Sequence, residues 1–123
     1  MTRSILRRAA AAALLAIATF VIAACGSFST SPAAPVATTT VDMPKSYRFA
    51  PRDIVVEVGA TVTWTNSDNF THSVQFLDGG LPGDPMVAQP GGQPVTFTFT
   101  QAGTFRYQCS FHPNDMQGTV TVQ

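Results

Sequence analysis

The stretch YQCSFHPNDMQGTV, residues 107–120, puts a cysteine, a histidine and a methionine within eight residues: Cys109, His112 and Met116. A thiolate, an imidazole and a thioether are soft or borderline donors of the kind that hold transition metals. The chain has one other histidine, His72, in NSDNFTHSVQF. Singly, each residue has an ordinary explanation, since a lone cysteine usually packs as a small hydrophobe and an isolated histidine at a strand end is commonly a surface residue. Together they form a particular set. Two histidines and one cysteine in a trigonal arrangement, with methionine as a weak axial donor, ligate copper in blue electron-transfer sites. Zinc also accepts cysteine and histidine, but it would leave Met116 without a role. A cysteine nucleophile with a histidine base is the enzymatic alternative, yet no orienting Asn or oxyanion loop is recognisable around Cys109 and His112.

Whether His72 can reach that loop depends on the elements. From residue 46 to 123 the apolar residues recur in twos: Ile54, Val56 and Val58; Val62 and Trp64; Val95, Phe97 and Phe99; Phe105 and Tyr107. Such alternation reads as half-buried strands, and no stretch shows a helical period. Gly59-Ala60 and Gln101-Ala102-Gly103 make tight links, and Gly118 opens a last strand from Thr119 to Gln123. About seven or eight short strands in so small a region predict an all-β Greek-key sandwich with Trp64 and the phenylalanines in its core. Residues 77–93, LDGGLPGDPMVAQPGGQ, are too rich in Gly and Pro for a strand and read as a folded surface loop. His72 begins one predicted strand, His72 to Phe76, and Cys109 ends another, Thr104 to Gln108. A sandwich places both at one end, and the loop from Cys109 to Gln117 returns His112 and Met116 beside Cys109.

The N-terminal third is of another kind. Arg3, Arg7 and Arg8 precede a charge-free run from Ala9 to Ala24, the layout of an export signal over residues 1–24. Ile22-Ala23-Ala24-Cys25 resembles the lipobox of bacterial lipoproteins, so Cys25 is the expected lipidation site; the alternative is a retained membrane helix. A lipidated Cys25 leaves Cys109 as a single thiol in an oxidising compartment, where burial or a metal must protect it. Residues 25–45, rich in Ser, Thr, Ala and Pro, read as a flexible tether. The globular part is then 46–123. Beyond Cys25 the chain has four basic residues, Lys45, Arg48, Arg52 and Arg106, against seven acidic, a formal charge of −3. No basic patch points to nucleic acid.

FAPRDIVVEVGATVTWTN, THSV, GTFRYQCSFH and MQGTVTV follow one another at separations that resemble those of a cupredoxin of the small plastocyanin, pseudoazurin and amicyanin group. The likeness runs from Tyr47 to Gln123. It implies one copper per chain, held by His72, Cys109, His112 and an axial Met116, with Ser73 and Ser110 beside the ligands steadying the loops and the Cys109 sulfur. Three residues separate His112 from Met116, where the family usually has two or four. Counting four lands on Gln117, itself a known type of axial donor; the Met-x-Gly order of Met116 to Gly118 favours methionine. The resemblance implies electron transfer without catalysis, by a monomer that meets redox partner proteins near His112; the export signal and the lipobox at Cys25 add the expectation that it is anchored to a membrane outside the cytoplasm. Phe111, Pro113, Leu81 and Pro82 are the expected apolar surround of that histidine. A copper carrier or storage protein could use the same ligands. A multicopper oxidase would need further histidine motifs, and the chain has only two histidines.

Overall fold

The computed structural model describes residues Ser31–Gln123, so the export signal and the lipidation of Cys25 lie outside the described residues. The strands are β1 (Val36–Ala37), β2 (Thr40–Met43), β3 (Asp53–Val56), β4 (Thr61–Asn66), β5 (His72–Phe76), β6 (Met86–Ala88), β7 (Val95–Thr98), β8 (Gly103–Gln108) and β9 (Gln117–Val122). One sheet has the order β1-β3-β9-β8-β5-β6 and the other β2-β4-β7. The chain changes sheet at every connection except β5 to β6 and β8 to β9. This is the all-β sandwich that the alternating pattern predicts.

The alternation does the sorting. In β4, Val62, Trp64 and Asn66 are buried while Thr61 and Thr65 are exposed, as period-2 geometry requires of a strand with one face on a core. Trp64 spans the gap between sheets, meeting Tyr107 of β8 and Phe76 of β5 edge to face with ring centroids 5.6 and 6.2 Å apart. Its truncation to alanine would cost about 3–5 kcal/mol. Phe97 and Phe99 extend the aromatic core against Phe76 at 4.9 and 5.7 Å. Strand β5 departs from the rule, because His72, Ser73 and Val74 are buried in succession. Its flanks are taken by β6 and β8. Backbone and side chains at the start of β5 are therefore closely held, a rigid seat for His72.

Three expectations need correction. The tether does not run to Lys45: β1 and β2 are strands, and Val41 and Met43 are buried in the core. Strand β2 pairs in parallel with β4, Val41 opposite Trp64 and Met43 opposite Asn66. Threonine is a good strand residue, and a parallel partner some twenty residues away leaves no local mark in a Ser/Thr-rich stretch. Nor is 77–93 free of strand, since β6 lies inside it and pairs with the start of β5, His72 opposite Ala88. The four residues between Pro85 and Pro90 are too few to show an alternation. Finally, Val58 is 49% exposed rather than inward, because β3 ends at Val56 and the chain turns through Gly59 at φ 88°. Only glycine adopts that backbone readily.

Candidate metal centre

His72 opens β5, and Cys109 follows the last residue of β8. These strands pair antiparallel, Gln75 opposite Gln108 and Phe76 opposite Tyr107, so the end of β8 arrives beside the start of β5. Ser73 and Ser110 join them there. The Ser110 N–H donates to Ser73 Oγ at 2.8 Å, and the two hydroxyls are 2.8 Å apart. The Ser73 N–H points at Cys109 Sγ, 3.4 Å away, and its hydroxyl lies 3.8 Å from the same sulfur.

The loop from Cys109 closes on itself. The His112 N–H donates to the Cys109 carbonyl at 3.1 Å, and the Met116 N–H to the His112 carbonyl at 2.9 Å. Cys109 N–H then donates to Met116 O at 2.9 Å. The second of these bonds is an i to i+4 turn, and it accounts for the three-residue spacing. Residues four apart on one helical turn lie on the same side, so Pro113-Asn114-Asp115 brings Met116 back under His112. Met116 is fully buried; Gln117 is exposed, and its amide donates to Pro113 O at 2.7 Å.

Nδ1 of His72 lies 3.9 Å from Cys109 Sγ, and Nδ1 of His112 lies 3.7 Å from it. All three donor atoms fall within 4.8 Å of one another. Bonds of about 2.0 Å to nitrogen and 2.3 Å to sulfur at trigonal angles put neighbouring donors about 3.8 Å apart. The separations therefore suit three donors converging on one ion. Their chemistry, two imidazoles and a thiolate with a buried thioether in the same loop, fits copper better than zinc.

The same conclusion comes from known proteins. Residues 36–123 match the model of the copper-binding proteins of the plastocyanin/azurin family. This chain is a cupredoxin. It is 38% identical over 86 residues to amicyanin of Paracoccus denitrificans, a match covering 68% of this chain and 63%, under two thirds, of that relative. It is 34% identical over 117 residues to amicyanin-alpha of Methylorubrum extorquens, covering 92% and 95%. The structure of a purple cupredoxin from Nitrosopumilus maritimus superposes with a TM-score of 0.61 at 30% identity, over 70% of this chain and all of that one. The cofactor of this cupredoxin is copper, one ion per chain.

The surroundings of the site contain residues that the sequence reading passed over. Asp68 is buried, and its Oδ2 lies 3.0 Å from Nε2 of His72. That hydrogen bond holds the Asp68 carboxyl below the usual carboxylate range, against the opposing effect of burial. Its only sequence signal was an acid four residues before His72 in a turn-rich loop. Tyr47 lies over His112 with ring centroids 4.4 Å apart and meets His72 edge-on at 6.2 Å. It takes a left-handed backbone at φ 48°, after Ser46 at φ 81°, and nothing in its local sequence announces either fact. Leu81, in contrast, does not belong to the surround of His112. It packs on the core and lines a cavity with Phe97, Phe99 and Phe105, and Phe105 lies four residues up β8 from Cys109, about 13 Å along the strand.

Proposed function

We propose that this cupredoxin is a single-electron carrier working outside the cytoplasm, with copper held by His72 Nδ1, Cys109 Sγ and His112 Nδ1 and with Met116 as the axial donor. The observation that carries the reading is the convergence of those three donor atoms, His72 from β5 and the other two from the loop that buries Met116. Copper bound there supplies a one-electron couple, Cu(I) to Cu(II), with no substrate to bind or transform. The protein's part is constraint. The Ser73 N–H orients the Cys109 sulfur, Ser110 ties Ser73 to the ligand loop, and the backbone bonds among Cys109, His112 and Met116 fix the loop's span. Donors held in this way move little when the charge at the centre changes by one, which keeps reorganisation small.

The relatives named amicyanin and the purple cupredoxin support this reading, as does the surface at this end of the sandwich. His112 is half-buried, and Tyr47, Phe70 and Phe111 expose 38, 56 and 53% of their surface. Tyr47 and Phe70 stack at 5.9 Å beside His112. An aromatic rim of this size suits a small, transient contact with redox partner proteins. A monomer is sufficient for that role. The N-terminal residues add a location: an export signal over 1–24 and a lipid anchor at Cys25 would hold the carrier at the outer side of a membrane.

The first test is an absorption spectrum of the full chain with Cu(II). A short bond from Cu(II) to the Cys109 thiolate gives an intense charge-transfer band, so the oxidised protein should be deeply coloured and Cys109→Ser should bleach it. A colourless one-to-one copper complex would replace electron transfer with copper carriage or storage.

A further inference from the structure

We propose that Asp68 is a positioning residue: its buried carboxylate presents Nδ1 of His72 to the metal and sets a fixed negative charge against the centre, biasing it toward the oxidised state. The inference rests on the copper reading of the site. It begins from burial, since His72 is 0% and Asp68 5% exposed, and their side chains meet at 3.0 Å through Nε2 and Oδ2. A neutral imidazole carries one proton. An ionised carboxylate only accepts, so the ring proton sits on Nε2, and the lone pair on Nδ1 is left facing Cys109 Sγ. Such outer partners fix the tautomer of a ligating histidine and raise its basicity.

The local backbone explains why an aspartate in particular stands here. Oδ2 takes the proton of His72, and Oδ1 takes the Asn69 N–H at 2.7 Å. Two donors thus meet two acceptor oxygens. An amide has only one acceptor oxygen, so asparagine can satisfy one donor and must turn its NH₂ toward the other. The carboxylate cannot swing away, because Asn66 clamps the loop: its Oδ1 accepts the Asp68 N–H at 3.0 Å, while its Nδ2 donates to Phe70 O and to Ala88 O, both at 2.8 Å. Ala88 is itself the β6 partner of His72. Strand, loop and ligand therefore form one framework that sets where the charge lies. A buried negative charge stabilises the more positive metal state more than the less positive one, and low surrounding polarity strengthens the effect.

The experiment compares wild type, Asp68→Asn and Asp68→Ala as full chains by copper titration and by mediated redox titration, with ¹⁵N NMR of the His72 ring in wild-type protein before copper is added. The expected result is a wild-type ring protonated on Nε2, and an Asp68→Asn protein that is still coloured but binds Cu(II) about tenfold more weakly. Its preference for Cu(I) over Cu(II) should rise by about tenfold, which is 59 mV upward for a one-electron couple. Asp68→Ala should shift the potential in the same direction. A merely structural role would lower thermal stability and leave the potential in place. An unchanged potential in a coloured, folded Asp68→Asn protein overturns the proposal. So does a wild-type ring protonated on Nδ1, which needs no variant to fold. A wild-type protein that takes up no copper at Cys109 overturns both this inference and the electron-carrier reading, whereas a coloured protein with an unmoved potential overturns this inference alone.

Discussion

Met116 and Gln117 are adjacent and both carry a donor, but the chain treats them oppositely. The i to i+4 turn from His112 carries Met116 inward, where it is fully buried. Strand β9 begins at Gln117 and sends that side chain outward to Pro113 O. Period-2 geometry prevents an exchange of roles without shifting the register of β9 by one residue, which would turn Val120 and Val122 out of the core. A thioether is a softer donor than an amide oxygen and favours the softer ion. Met116→Gln should therefore lower the reduction potential, by about 59 mV for each tenfold change in the Cu(II) to Cu(I) binding ratio, and should alter the copper EPR spectrum. Gln117→Ala should leave both nearly unchanged. Redox titration of the two variants in one buffer decides it, and a large shift from Gln117→Ala alone would assign the axial position to glutamine.

At the scale of elements, the loop from Cys109 to Met116 is only as well placed as the β8–β9 hairpin that carries it. Tyr107 stands opposite Gly118 in that pair, and its hydroxyl donates to Arg52 O at 3.0 Å across the glycine. A Cβ on Gly118 would lie 2.6 Å from both Cζ and Oη of Tyr107 and against the Arg52 carbonyl. None of these neighbours can yield, since Tyr107 is fully buried between Trp64 and Phe49. Gly118→Ala should cost at least the roughly 1–3 kcal/mol of an overpacked core, read as a lower denaturation midpoint; an unchanged midpoint would mean that the hairpin is free to shift. The sequence predicted the two strands of this hairpin, the start of β5 and the inward Trp64 because each carries a plain alternation or a turn signal; that β8 and β9 pair comes from the structure. The sequence singled out His72, Cys109 and His112, whose donor atoms the fold brings together, because cysteine and histidine are rare in this chain. It missed β1, β2 and β6, whose few residues are defined by partners distant in sequence. It missed Asp68 and Tyr47 for a related reason: a carboxylate and an aromatic ring are common, and only the folded loops bring them to the two histidines.

At the scale of the whole molecule, the corrected start of the fold shortens the stretch of sequence left for a tether. With β1 beginning at Val36, ten residues rather than about twenty separate it from Cys25. A lone acyl chain binds membranes only marginally, and stable anchoring takes two or more chains at about 0.8 kcal/mol per buried CH₂, so a lipidated cysteine would decide where the protein resides without affecting the fold. Cys25→Ala should abolish incorporation of labelled fatty acid and move the protein from the membrane to the soluble fraction, while its colour with copper and its thermal midpoint stay those of the parent, since Cys109 is a separate, buried thiol. Membrane retention of Cys25→Ala without label would assign the anchoring to the apolar run from Ala9 to Ala24 instead. Equal labelling with and without Cys25 would remove the lipobox reading.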